Sequence, residues 1–468
     1  MPDFPAAPRP SWRNALRVYL APANLRMVTL AFSTGLPFLL TQGTLAFRLS
    51  EAGINIDTIG FLSWVGMATY GFKWAWAPLV DRMPLPGLTR WLGRRRSWLL
   101  LSQAAVALGL AGMALADPRA ALAPLVWCAL AVAFASATQD IALDAYRIES
   151  APTQEQPALA ATYQVGYRLA MICASAGVLW LAARAQGAAT GYDNAAWQTA
   201  YLVMAALMAV GMVTVLTAPE PAPAPLPPAR SAAEWVQGAL VEPFADFIRR
   251  YKWQAALILA LIAIYRISDE VMGVMANPFY VHMGYTKDQV AAVSKVFGVV
   301  MTLTGGFVGG ALALRFGVMR VLMLGASLSV VSNLLFAWLA SHGPSVPGGA
   351  AMSASAQLAL AWQAGYRPSV PALVAVISAD NLSGGMAQAA FVGYLSSLTN
   401  IRYSATQYAL FSSLMHLAPK FIGGFTGVYV KAFDYPVFFT TTAALGLPVL
   451  LLVALAARAQ GGWNPARK

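Results

Sequence analysis

The chain has 468 residues, 58% of them hydrophobic and only 11% charged, with a mean hydropathy of +0.59. A soluble protein of this length carries roughly a quarter charged residues, so soluble enzymes and binding domains are excluded and a polytopic membrane protein is indicated. The net charge of +12 reads as basic loops on one side of a bilayer, with no nucleic acid as partner.

Residues 1–24 are a polar N-terminal tail with no apolar core and no cleavage pattern, so no removed signal peptide is expected. Apolar stretches of about 20 residues or more follow near 25–47, 57–80, 97–116, 122–146, 160–184 and 196–217. A second set lies near 253–278, 288–313, 318–341, 368–397, 405–430 and 434–457. The pattern predicts an all-α fold of twelve transmembrane helices: a six-helix bundle over 25–217, a linker over 218–252, a second bundle over 253–457 and a tail over 458–468. The linker opens APEPAPAPLPP, too rich in proline for helix and suited to an extended spacer. Its second part, 231–250, either lies along the membrane surface on an apolar face or is a plain solvated connection, and Pro243 interrupts it. Residues 342–367 read as a long external loop with a short helix, with an extra membrane-associated segment as the rival reading.

Of the 31 Lys and Arg residues, five fall inside spans, twenty fall on the side of the N-terminus and six on the other: Arg48, Arg119, Arg184, Lys287, Arg367 and Lys431. Basic loops stay in the cytoplasm, so both termini are expected there.

Six spans, a linker and six spans is the layout of the major facilitator superfamily. The loop after the second span adds its signature chemistry: Asp81-Arg82 at a helix end, then Gly93-Arg94-Arg95-Arg96 before the next span, separated by an insert. An acid at a helix end with arginines across the loop is a candidate conformational latch (Asp81, Arg82, Arg94, Arg95, Arg96); the alternative is that the arginines only set topology. The second half carries a fainter echo in Gly309-Gly310, Arg315, Gly317 and Arg320.

Polar groups inside the spans are the functional signal. A carboxylate at bilayer depth costs about 2.5–3.5 kcal/mol on insertion scales, and the fourth span carries Gln139, Asp140, Asp144 and Arg147. The last three are spaced i, i+4 and i+7, on one helix face that cannot look at lipid. Span seven carries Tyr265, Arg266, Asp269, Glu270 and Asn277, with Arg266 in reach of either acid on its own helix. Span ten carries Asp380, Asn381 and Gln388. Tyr70, Lys73 and Trp74 in span two and Gln164, Tyr167 and Arg168 in span five complete the candidate substrate contacts, with Lys295, His416 and Lys420 at similar depth. Aromatics with polar tips (Tyr70, Trp74, Trp76, Tyr163, Tyr265) either face sugar rings or pack the core. The alternative for the charges is buried pairing that fixes helix packing. Asp140 is the first candidate for proton coupling, because no basic residue lies within a turn of its own helix; Asp269, Glu270 and Asp144 follow.

There is no phosphate-binding Gly-rich loop, no nucleophile beside a base and no metal-ligand spacing, so neither an enzyme nor a metal is expected. Cys128 and Cys173 lie in apolar runs and read as packing residues.

Six pieces resemble the AmpG family of muropeptide permeases within the major facilitator superfamily. They are YGFKWAWAPLVDR (70–82), GRRRSW (93–98), TQDIALDAYRIE (138–149), YRISD (265–269), ADNLSGGMAQAAFVGYL (379–395) and TQYAL (406–410). The third and fifth are the specific ones. The resemblance implies a monomeric proton symporter of the bacterial inner membrane. It would import N-acetylglucosaminyl-1,6-anhydro-N-acetylmuramyl peptides from periplasm to cytoplasm by alternating access, driven by the proton gradient and without a cofactor. A transporter of another bulky polar anion, such as an acyl-CoA, is the alternative. Some family members are longer, with further membrane segments not found here.

Overall fold

The apolar runs fold as helices because leucine, alanine and methionine dominate them and every backbone polar group must be satisfied within the segment. The computed structural model describes residues 17–187, 191–222, 231–344 and 354–459. The N-terminal tail before residue 17, most of the proline-rich run, the middle of the 342–367 loop and the C-terminal tail lie outside the described residues.

By contacts the chain divides into two compact units, residues 17–250 with 395–413, and residues 251–394 with 414–459. In the first unit α1 (Pro22–Thr41) and α2 (Gly43–Glu51) form one broken helix, as do α3 (Ile56–Gly71) and α4 (Ala77–Arg82) around a 3-10 turn at Lys73–Ala75. The short α5 (Leu88–Leu92) leads to α6 (Arg94–Leu115) and α7 (Leu122–Ser150). Helices α8 (Gln156–Ile172) and α9 (Val178–Gln186) are joined by a π turn, and α10 (Asn194–Leu207) passes into α11 (Ala209–Thr217). In the linker, α12 (Ala232–Val236) continues through a π turn into α13 (Glu242–Tyr251), and Pro243, directly after that π turn, does not interrupt the helix.

The second unit holds α14 (Gln254–Ile264), α15 (Ile267–His282), α16 (Lys287–Val290) running through a π turn into α17 (Gly298–Phe316), α18 (Val318–Ser341) and α19 (Ala354–Gln363). It also takes most of α20 (Val370–Leu398), the later part of α21 (Ser404–Gly423) and all of α22 (Thr426–Ala459). Asp434, with φ 68°, breaks α22. Among its described residues the expected external loop contains the short helix α19, whose neighbour Tyr366 donates its hydroxyl to the Met283 carbonyl.

Among the described residues nine helical stretches are long and apolar enough to cross a membrane. The three expected spans outside that set are α3–α4, α14–α15 and α21. Two are broken mid-way, at Phe72–Trp76 and at Tyr265-Arg266, and α21 carries His416, Pro419 and Lys420. Interrupted helices are where transporters place polar groups, since freed backbone is tolerated only beside a cavity or protein.

Small residues set the closest crossings. A Cβ at Gly166 would lie 2.0 Å from the Val28 carbonyl oxygen, so α8 rests directly on α1. In the second unit a Cβ at Gly385 would lie 2.0 Å from the Thr302 carbonyl oxygen and one at Gly305 2.1 Å from that of Leu382, so α17 and α20 touch backbone to backbone. Gly93 and Gly317, one in each unit, take φ of 87° and 89° at the start of α6 and α18, a turn L-residues resist. Large apolar side chains such as Leu108, Trp127 and Leu451 are exposed, as lipid-facing positions are.

Candidate functional site

In the first unit α3 and α4 run along α7, and the turn between them directs Lys73 at Asp140. The Lys73 Nζ stands 3.8 Å from an Asp140 carboxylate oxygen, with both side chains mostly buried. Flanking bonds hold the turn in place: the Tyr70 hydroxyl donates to Ser136 Oγ at 3.0 Å, and the Trp76 indole N–H donates to Thr138 Oγ1 at 3.1 Å. Tyr163 and Tyr167, a turn apart on α8, stack with centroids 5.8 Å apart and planes 20° apart. Gln164 and Arg168 lie half-buried on the same helix, whereas Trp74 is exposed.

Gln139 is turned away from this group. It is fully buried and donates to Thr34 Oγ1 of α1 at 3.0 Å. One helical step is 100°, so Gln139 and Asp140 serve different neighbours. Asp144 sits 3.4 Å from Arg147, and Arg147 is buried, donating to Gln156 and Ser396 and lying 5.0 Å over the Tyr408 ring.

A second network closes the arginine-rich end of the same unit. Arg95, 1% exposed, donates to Asp81 at 2.7 Å, to Glu149 at 2.6 Å, to Ser404 Oγ at 2.8 Å and to the Val80 carbonyl at 2.9 Å. Asp81 in turn accepts from the Ala405 and Thr406 backbone N–H groups and from the Thr406 hydroxyl, capping the first turn of α21. The other arginines named with Asp81 do separate work. Arg94 donates to the Asp81 carbonyl, and Arg96 donates to the Val215 and Leu216 carbonyls at the end of α11. Arg82 packs over Gly238 of the linker, where a Cβ would meet its guanidinium at 2.3 Å. Glu220 accepts from the Arg95 and Arg96 backbone N–H groups, capping α6.

The linker helix belongs to this end as well. Asp246 of α13 accepts from Asn400, Gln407 and Arg250, and Phe247 packs on Phe411 at 5.2 Å. Of the two readings left open for 231–250, a membrane-surface segment or a solvated connection, neither describes Phe247, which is buried against protein.

In the second unit the break at Tyr265-Arg266 redirects Arg266. It bonds Gln388 of α20, not Asp269 or Glu270 on its own helix, because it precedes α15 with φ −96° and ψ 4°. Glu270 instead pairs with His416 of α21 at 3.1 Å. One Asp269 oxygen is buried without a hydrogen bond. Asp380 accepts from Ser332 at 3.5 Å, and Asn381 accepts from Thr302 at 2.7 Å. Tyr265 is buried, its ring stacked on Phe391 at 4.3 Å and its hydroxyl on the Leu322 carbonyl. Asn277 is exposed, and the side chain of Lys295 lies outside the described residues. Among the described residues no cluster of His, Cys, Asp or Glu is arranged to hold a metal.

Sequence reasoning passed over Glu149, Ser404, Thr406 and Glu220, all central to the arginine network. One signal was available: Ser404-Ala405-Thr406-Gln407 is a capping-box pattern, which marks a helix start that needs partners.

The family model of the Major Facilitator Superfamily matches residues 23–347. "Putative transporter AmpG 4" of Rickettsia felis is 32% identical, over 91% of this chain and 94% of its own. The "Anhydromuropeptide permease" of Escherichia coli K12 is 33% identical, over 94% of this chain and 80% of its own. The chain belongs to the AmpG branch of the Major Facilitator Superfamily. Among solved structures, FucP in the outward conformation shares the fold with a TM-score of 0.64 at 14% identity, covering 94% of this chain and all but 1% of its own. Membership makes this AmpG-family chain a multi-pass membrane transporter of a small molecule rather than an enzyme.

Proposed function

We propose that the chain imports N-acetylglucosaminyl-1,6-anhydro-N-acetylmuramyl peptides from periplasm to cytoplasm in symport with protons, by alternating access. The observation that carries this reading is the 33% identity to the E. coli anhydromuropeptide permease along 94% of the chain. The partly buried Asp140–Lys73 pair supports it. A carboxylate with one cationic partner at 3.8 Å releases that partner when protonated, as a coupling group must. The cargo combines sugars, carboxylates and an ammonium group, and the Asp140–Lys73 pair of the first unit supplies a matching acceptor and donor.

The protein works as a monomer in the bacterial inner membrane, with twelve spans in two six-helix bundles (25–217 and 253–457) and both termini cytoplasmic. The Asp81–Arg95–Glu149 network with Ser404 and Thr406 acts as the latch of one conformational state. The test is uptake of a labelled anhydromuropeptide into proteoliposomes with and without an imposed proton gradient, beside a labelled CoA thioester. Gradient-dependent accumulation of the muropeptide alone is expected; accumulation of the thioester alone would replace this substrate class with the other.

A further inference from the structure

The linker helix α13 has three sides. One lies on protein: Pro243 and Phe247 are buried, the Pro243 carbonyl accepts from Gln407, and Phe247 packs on Phe411. A second is polar, where Arg249 and Glu242 pair at 2.6 Å with the guanidinium in the open. The third is apolar and bare. At 100° per residue Leu240, Val241, Phe244 and Ile248 fall within about 100° of arc, and they are 36–56% exposed. The turn before α21 extends the pattern. Its Asn400 donates to Asp246 of α13 at 3.1 Å, and the next two residues, Ile401 and Arg402, are both exposed.

A contiguous apolar stripe on a connecting segment needs a cover, and the depth of the helix says which. Phe411 lies about 10 Å along the axis of α21 from its first residue, Ser404, and α21 is an expected span. Through Phe247, α13 therefore rests against the side of a span rather than beyond its end. In sequence only Lys252 and Trp253 separate it from the start of the next expected span. A helix at that level puts its apolar side among the acyl chains and its basic residues among the headgroups. α13 is built that way, with Arg249, Arg250 and Lys252 crowded at its C-terminal end. We propose that the linker helix is a membrane anchor. Leu240, Val241, Phe244 and Ile248 lie in the leaflet on the arginine-rich side, and Arg249 and Arg402 hold the phosphate groups of anionic lipids there. The anchor needs neither the cargo nor the proton of the functional reading, so either can fail without the other.

The test uses full-length protein in vesicles of phosphatidylcholine and phosphatidylglycerol, in a background without Cys128 and Cys173. A fluorophore is attached at Phe244→Cys or Ile248→Cys. Leu451→Cys, exposed on α22, and Arg90→Cys, in the arginine-rich loop, serve as the lipid and water references. Brominated acyl chains should quench the fluorophore at positions 244 and 248 as they do at 451, while iodide in the water should quench it only at position 90. Bromine carried on phosphatidylglycerol should quench positions 244 and 248 about twofold more than the same mole fraction carried on phosphatidylcholine. The double variant Arg249→Gln, Arg402→Gln should lose that preference. Leu240→Cys and Val241→Cys repeat the reading if the first two variants do not fold. Quenching of the stripe by iodide and not by brominated chains overturns the anchor and leaves the stripe in water. Protection from both quenchers overturns it too, and puts a protein partner or a second copy on the stripe. Equal quenching by the two brominated lipids, or a preference that survives in the double variant, overturns the anionic-lipid contact.

Discussion

Asp140 and Arg48 are both charged groups inside the first unit, and their surroundings assign them opposite kinds of work. Asp140 pairs with Lys73 at 3.8 Å and remains partly accessible, so its charge state can change without dismantling the packing. Asp140→Asn keeps the shape and removes the titratable proton. It should abolish gradient-driven accumulation while retaining counterflow exchange, measured side by side in proteoliposomes; normal accumulation would remove Asp140 from the coupling role. Arg48 is completely buried and has no carboxylate partner among the described residues. It donates to the Met113 carbonyl at 2.7 Å, the Ala116 carbonyl at 2.6 Å and Asn194 at 3.0 Å, and lies 5.3 Å over the Tyr201 ring. Met113 and Ala116 are at the C-terminal end of α6, where a cation is favoured by the helix dipole. Arg48→Met leaves those carbonyls unpaired and should cost about 3 kcal/mol, read as a lower melting temperature in detergent with substrate affinity preserved.

Between elements, the two adjacent glycines of α20 separate close packing from open space. At Gly385 a new Cβ would overlap the Thr302 carbonyl of α17, whereas at Gly384 nothing lies within 4 Å. Gly385→Ala should therefore destabilise by about 1–3 kcal/mol through overpacking. Gly384→Ala should be neutral or stabilising, since alanine is the better helix former by about 1 kcal/mol. Equal melting temperatures for the two variants would contradict the crossing. At the arginine-rich end, Asp81 joins α4 to the first turn of α21 and to Arg95. An asparagine there has only one acceptor oxygen and sets an amide N–H₂ against either the guanidinium or the helix N-terminus. Asp81→Asn should slow transport roughly tenfold, about 1.4 kcal/mol, with the substrate dissociation constant unchanged within a few-fold. Complete loss of binding in a folded variant would place Asp81 in the substrate site instead.

On the scale of the whole molecule, the distribution of basic residues predicts the topology, and exposed positions test it. Arg90 lies in the arginine-rich loop and Gln363 ends α19, and both are exposed. In a background without Cys128 and Cys173, Arg90→Cys should react with an impermeant maleimide only from the cytoplasmic side and Gln363→Cys only from the outside. Labelling of Gln363→Cys from the cytoplasm would break the twelve-span count.

Hydropathy alone determined that the chain is a helical membrane protein and where its long spans lie, and it predicts the six-linker-six layout. These are properties of composition summed over a window, and burial in lipid rewards them locally. The motif pieces carried the family. The polar residues at membrane depth were legible as a set, because no carboxylate is placed there without a compensating role. Which partner each one takes was decided only by the tertiary structure. Arg94, Arg95 and Arg96 are equivalent in sequence, yet only Arg95 is buried against Asp81 and Glu149, because successive residues point about 100° apart around a helix. Spacing put Arg266 within reach of two acids, and the helix break beside it sent it to Gln388, 122 positions away. A local pattern gives the helix and its faces; the contact that satisfies a buried charge depends on which distant backbone the packing brings within about 3 Å.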